Sequence, residues 1–516
     1  MKKTVLVFSM VLMLLASMIL GACTGGNDPT AEPGTEDTKT ADKSTGAEES
    51  ESGNADAGDA FKVGYARENI TPKADQQLPL AGYGNTAKRL STGFLDYIFI
   101  TCIAFRDTEG NTLLWFTEDL INANIDVVPK MKAKVSEVTG IDTDHILVTG
   151  THTHSCVDQS QTKFDTVVNF LENLIAAAGR TAEAAIADLT PATFNWGSAD
   201  LTGYNYVRHY FTDLGEAVGD NHGKLAAGTV VRHATEANSE MSILEIKRDG
   251  AKDVLLTTWR AHATITGGST KRDISSDFIG SVRDVVEKNS DYLFAYYQGE
   301  AGNMNPRTKL NSDVEYNPPD EVKKYGQEVA EIILKSLADN GTTPIQTGTI
   351  QTINTTFTGE VNHDWDSLVS VAQTLSDEWA NGASYESIIQ EGVKYEITDS
   401  LGNVHHIESP YQAQAIVSHA KLGKTHDVEI HATRIGDFAF VNAPFEVFDT
   451  NGDFVKANSP SAYTMVIGYS NQGQGYLPSQ YAYEYGCYES DTTKFKPGTG
   501  EQLASKFVEL LNELYK

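Results

Sequence analysis

Apolar and polar positions change period repeatedly along this chain. Leu113 to Leu120 is a strand-length apolar run, Val127 to Val138 spaces its apolar residues at helical intervals, and Ile146 to Thr149 is again a short apolar run. The alternation returns with a strand over Val254 to Trp259, a helix over Phe278 to Lys288, a strand over Tyr292 to Tyr297 and an amphipathic helix over Glu321 to Leu337. Strands that alternate with helices predict an α/β fold. Stretches rich in Thr and Ile near 349 to 358 and 427 to 442, the second containing the turn Ile435-Gly436-Asp437, add an antiparallel part. Trp365 to Trp379 and Tyr411 to Leu422 read as helices of an insertion placed to cover a site or to pad the fold. A last helix, Gln502 to Tyr515, carries Leu503, Phe507, Leu510 and Leu511. The expectation is α/β, with mixed parallel and antiparallel sheets and flanking helices in a single large domain over residues 61–516, since no repeat or low-complexity break divides that stretch.

The first sixty residues obey different rules. Met1-Lys2-Lys3 is a basic start, Val5 to Leu20 an apolar run too short to span a bilayer comfortably, and Gly21-Ala22 a pair of small residues, which together predict a secretory signal peptide over 1–22. The ending Leu20-Gly21-Ala22-Cys23 resembles the bacterial lipobox, which implies a lipidated Cys23. Residues 23–60 are Gly, Ser, Thr, Ala and acid, with only Lys39 and Lys43 as cations and nothing large enough to build a core. They predict a disordered tether. The expected location is extracytoplasmic, as a bacterial membrane lipoprotein held by the lipid on Cys23. The formal net charge of −30 is only partly in that tether, and an acidic folded part argues against nucleic acid as a partner. With Cys23 lipidated, Cys102, Cys156 and Cys487 allow at most one disulfide and leave one thiol free.

Chemistry first shows in Thr151-His152-Thr153-His154-Ser155, directly after the strand-like His145 to Gly150. Side chains two apart on a strand share a face, so His152 and His154 could present two imidazoles to one metal. Two histidines hydrogen-bonded in a polar loop would have the same spacing, and partners elsewhere decide between these readings. Five further segments are strand-like runs that stop in polar clusters: Trp259 to Thr264, Ile274 to Asp277, Gln298 to Arg307, Asn442 to Glu446 and Ser470 to Pro478. Groups at strand ends are what an α/β active site requires.

Together with Val63 to Pro72 and Ala81-Gly82-Tyr83-Gly84, these segments resemble, in order, the neutral/alkaline, non-lysosomal ceramidase family. The resemblance implies a ceramidase-like zinc hydrolase domain over 61–516, with one Zn²⁺ held by His152, His262, Glu446 and Tyr476. It implies that a metal-activated water attacks an amide carbonyl, with His154 beside the metal handling a proton and Arg208 near the substrate pocket. Asp277 and Asn303 would orient the site or stabilise turns. An accessory Ca²⁺ or Mg²⁺ is also implied, without ligands that can be placed. The implied substrate is lipid-like: a ceramide or a related lipid amide.

Three departures bear on that substrate. Asn305 stands where the ceramidases carry the serine held to contact the substrate amide or its hydroxyl. Cys156-Val157-Asp158 follows the histidines in place of a Gly-Pro run, and the family's C-terminal immunoglobulin-like domain has no counterpart in this sequence. The same metal chemistry on a different amide or ester is therefore the second expectation. A lipid-tethered solute-binding protein is a third, and it would have no need of a metal constellation.

Overall fold

The structure is a computed structural model and describes residues 60–215, 217–219, 229–268, 270–306 and 318–516. The signal segment, the lipidation residue Cys23, nearly all of the tether and Arg307 lie outside the described residues.

The largest sheet runs in the order Leu293–Gln298, Val254–Trp259, Glu240–Arg248, Thr190–Asp200, Lys62–Asn69, Phe99–Arg106, Thr112–Glu118, Ile146–Gly150, with Thr343–Ile345 paired to Thr190–Asp200. The outermost pair at each end is parallel and the pairs between them are antiparallel. Strand periodicity then separates two faces. Cys102, Ala104, Leu114 and Phe116 face the helices Val128–Thr139 and Asp165–Ala187. Ile103, Phe105, Trp115 and Leu147 face a second sheet of Ile350–Glu360, Thr425–Ile435, Phe438–Asn442 and Tyr463–Ile467. Trp115 stacks on Phe440 across that interface, with ring centroids 4.0 Å apart and planes 8° from parallel. Helices Asp277–Asn289 and Pro318–Asn340 cover the remainder of the first sheet, and Thr499–Leu514 covers the outside of the second. The layering is helices, sheet, sheet, helices, in the mixed α/β architecture that the apolar periods predict.

The first sheet curls until its two ends meet. Thr117 Oγ1 donates to the carbonyl of Tyr296 (2.7 Å) and the Tyr297 hydroxyl donates to the carbonyl of Trp115 (2.8 Å), so the neighbourhood of one edge strand touches the other. This seam brings the carboxyl ends of Ile146–Gly150 and Val254–Trp259 together although five strands of the sheet order separate them. The second sheet delivers its own strand ends to the same place. Gly468 N donates to Gln298 O, Ser470 bridges Thr149, and Thr153 bridges Ala263.

Helices Val369–Ala380, Tyr385–Gly392 and Pro410–His419 pack on one another around Leu375, Ile388, Ile407 and Ile416, a small core of their own. The three cysteines Cys102, Cys156 and Cys487 are buried free thiols, so the one disulfide that the count allows does not form among them.

Candidate metal centre

The strand Ile146–Gly150 ends before the histidine pair, and the pair converges by another route than strand alternation. His152 has φ 65°, in the left-handed region that non-glycine residues rarely occupy. That turn swings the ring of His152 back so that its Nε2 lies 3.0 Å from Nε2 of His154. His262, three residues beyond Trp259, brings a third imidazole from the other side of the seam, and the ring centroids of His152 and His262 are 4.6 Å apart. Glu446 completes the set from the short strand Glu446–Val447, which follows Phe438–Asn442 of the second sheet. Its Oε2 is 3.2 Å from Nε2 of His152 and 3.2 Å from Nε2 of His262.

The far sides of these rings show what the near sides are for. His152 Nδ1 lies 2.6 Å from the carbonyl of Ile121 and His262 Nδ1 lies 3.0 Å from the carbonyl of Met304. A carbonyl only accepts, so in each ring Nδ1 carries the proton and Nε2 presents a lone pair to the centre. Backbone carbonyls that fix the tautomer in this way are the usual outer partners of metal-bound histidines. His262 Nε2 and Glu446 Oε2 are buried without a hydrogen-bond partner among the described residues, an expensive state unless a ligand fills the space between them. Burial pushes the His262 imidazole down to about 4 and that of His154 well below its ordinary value. Burial works against ionisation of Glu446 too, but His152 and His262 hold its carboxyl well below the usual range. Imidazole nitrogens around one carboxylate form a donor set that fits Zn²⁺.

The three imidazoles are not equivalent. His154 Nδ1 has no partner among the described residues and is roofed by Gly82, whose φ of +98° and lack of a side chain let the backbone approach; a Cβ there would stand 2.6 Å from that nitrogen. Tyr83 meets the same ring edge-on at 5.1 Å. His154 therefore has its Nε2 in the cluster but no carbonyl fixing its tautomer.

Tyr476 is the strand partner of Glu446 in a short parallel pair, and its hydroxyl accepts from Nη2 of Arg208 at 3.1 Å. The buried Arg208 also donates from Nε to Glu489 (2.6 Å), from Nη1 to Asn305 Oδ1 (3.3 Å) and from Nη2 to the carbonyl of Gly302 (2.8 Å). Burial opposes its charge, and Glu489 beside it more than offsets that effect. Gly302 admits no side chain, since a Cβ would lie 2.5 Å from the carbonyl of Glu446. The network continues from Glu489 to His209 (2.8 Å), His209 to the Tyr481 hydroxyl (3.1 Å), Tyr481 to Asn303 (3.1 Å) and Asn303 to Asp449 (2.7 Å).

All seven residues singled out from the sequence, His152, His154, Arg208, His262, Asn305, Glu446 and Tyr476, thus fall in one contiguous region. Asn303 joins the polar network behind it. Asp277, at φ 59°, accepts from the backbone and hydroxyl of Thr266 and caps a turn. Sequence reasoning passed over Ile121 and Met304, which act through backbone carbonyls, and Glu489 and His209, whose partners are distant in the chain. It also passed over Tyr469, whose ring lies 4.1 Å from that of His152. The insertion reaches the rim: Tyr411 of Pro410–His419 meets Tyr488 edge-on at 6.1 Å, and Tyr488 meets Tyr476 at 5.6 Å.

No protein-family model matches this chain, and no curated protein sequence matches it. Among solved structures it is similar to the neutral ceramidase from Pseudomonas aeruginosa, at 17% identity over 88% of this chain and 74% of that one, with a TM-score of 0.65. A ceramidase complexed with C2 matches to the same degree, at 17% identity and TM-score 0.65 over 88% of this chain and 75% of its own. At that identity the likeness establishes a shared fold.

Proposed function

We propose that this chain is a zinc-dependent hydrolase that cleaves the N-acyl linkage of a ceramide or a related lipid amide. The observation that carries the reading is the convergence of His152 Nε2, His262 Nε2 and Glu446 Oε2, with both ring tautomers set by backbone carbonyls. His152, His262, Glu446 and Tyr476 would hold the metal. Bound there, zinc supplies an activated water near neutral pH and polarises a carbonyl oxygen. Its ceramidase-fold neighbours support the substrate class.

The chain's own residues divide the remaining work. His154 Nε2, 3.0 Å from that of His152, reaches the centre, and its unfixed Nδ1 lets the ring change protonation state as a proton passes. Arg208 orients the Tyr476 hydroxyl and carries the positive charge of the pocket wall. Asn305 is tied to Arg208, so the position that carries a serine in ceramidases here presents an amide engaged with the arginine. That contact favours, as a second reading, the same chemistry on a different amide or ester. An extracytoplasmic placement through a lipid on Cys23 would bring the enzyme to lipid substrates; no helix among the described residues is long and apolar enough to cross a membrane.

The test is metal analysis of the purified protein with turnover of a fluorescent acyl-sphingosine before and after chelation. His152→Ala is expected to lose both metal and turnover. His154→Ala should keep the metal while kcat falls by about 10²- to 10⁴-fold, the usual worth of a proton-transfer group. A metal-free protein indifferent to His152→Ala would refute the reading, whereas bound zinc without acyl-sphingosine turnover would select the second substrate class.

A further inference from the structure

Tyr469 combines three features that packing alone does not explain. It follows the strand Tyr463–Ile467 and adopts φ 56°, an outlier for a bulky aromatic residue. Three backbone bonds hold it there: its N–H donates to Phe445 O (3.0 Å), and its carbonyl accepts from Ala123 N and Gly150 N, each at 3.2 Å. Backbone strain that the surroundings over-determine in this way concentrates at functional sites. Second, its ring lies against that of His152, with centroids 4.1 Å apart and planes tilted by 37°. Third, the residue is 1% exposed, yet its hydroxyl has no hydrogen-bond partner among the described residues.

The contact of its ring with His152 places Tyr469 against the site. Burial pushes this phenol well above its ordinary value and Glu446 adds to that, so the hydroxyl keeps its proton. Glu446 Oε2 is itself without a hydrogen-bond partner among the described residues, so a buried donor and a buried acceptor are both left unsatisfied. A phenol in its ordinary state offers one O–H, and the orphan hydroxyl is thus a donor with nothing among the described residues to donate to.

We propose that Tyr469 is a further catalytic residue, whose hydroxyl donates a hydrogen bond to the oxygen of the scissile acyl carbonyl and to the oxyanion that develops there. The inference rests on the acyl-hydrolase reading above. Water adds its oxygen to the carbonyl carbon, the C–N bond breaks, and the departing amine takes the proton that water gives up. Tyr469 keeps its own proton throughout and contributes a donor fixed in place before the charge appears, which is how such donors lower a barrier.

Tyr469→Phe in the full-length, metal-loaded protein removes a single oxygen and keeps the ring on His152. The expected result is unchanged zinc content, an unchanged or higher Tm, and a fall in kcat of roughly tenfold to a hundredfold, with KM within about threefold. The rise in Tm follows because the variant deletes a buried polar atom that nothing among the described residues satisfies. Octanoate, a product-like carboxylate, should bind the variant about tenfold more weakly than the parent by calorimetry, a readout that does not need turnover. A kcat and an octanoate affinity both within twofold of the parent would overturn the proposal. So would a drop in Tm with loss of zinc, which would make the hydroxyl structural. A parent protein with zinc but no acyl-amide turnover would count against the function proposed above, and the octanoate comparison would still decide the role of Tyr469.

Discussion

Buried charge sets the chemistry around single residues and also their response to acid. Glu489 lies between Arg208 and His209, and Glu300 between Arg260 (3.0 Å) and Lys456 (3.0 Å). Burial alone would raise both carboxyls, but Arg208 with His209, and Arg260 with Lys456, hold each down at about 2. A carboxyl whose folded value lies below its unfolded one stabilises the fold fully above the unfolded value, and loses that contribution as pH falls toward the folded one. The contribution of these two carboxyls to the urea unfolding midpoint should therefore be complete above pH ~4.5 and be lost between pH ~4.5 and ~2, and Glu489→Gln should flatten the fall in that window while lowering the neutral-pH midpoint. The residues legible in the sequence were those whose type declares their chemistry: His152, His154 and His262 as imidazoles at strand ends, Glu446 and Tyr476 through an ordered set of segments. Tyr469 is an aromatic residue in an apolar run, and only its backbone angle and its neighbours single it out. Glu489 sits in an unremarkable acidic helix, and the arginine it holds is 281 positions away.

Elements were legible where periodicity was strong and both ends were punctuated. The strands expected near 349 to 358 and 427 to 442 are Ile350–Glu360, Thr425–Ile435 and Phe438–Asn442, with Gly436 at φ 64° making the turn between the last two. The expected final helix, Gln502 to Tyr515, is Thr499–Leu514. Thr190–Asp200 and Glu240–Arg248, central to the first sheet, escaped notice; the first exposes alternate positions and carries Gly197, Ser198 and Asn195, which read as loop residues. Pairing order was hidden altogether, because parallel strands at the sheet ends pair across intervening helices. The insertion between Ile350–Glu360 and Thr425–Ile435 was readable as helices, and its contact with the site through Tyr411 and Tyr488 assigns it to the rim. Leu375 is 1% exposed in its small core, so Leu375→Ala should cost about 2–5 kcal/mol locally. If the insertion shapes the substrate entrance, KM should rise several-fold while kcat and zinc content hold. Steady-state kinetics with hydrogen exchange over residues 365–419 checks both effects.

For the whole molecule the seam in the curled sheet matters most, because it decides when a site exists. His152 stands at one end of the first sheet, His262 near the other, and Glu446 and Tyr476 come from strands beyond the second sheet. A metal on these residues ties together parts of the chain that no single helix or hairpin connects. Stripping it should lower the Tm by several degrees and speed hydrogen exchange at residues 151–155 and 260–264, with recovery on adding zinc, since a ligand that binds only the folded state stabilises it by mass action. Differential scanning calorimetry of the stripped and reloaded protein measures this, and an unchanged Tm would place the ion outside the fold's cooperative unit. The proposed ligands run along the chain from position 152 to position 476, so a nascent chain that lacks its last strands would have an incomplete ligand set, without Glu446 or Tyr476. On the function proposed above, loading would act as a checkpoint on maturation, and hydrolysis would be confined to molecules that have finished folding.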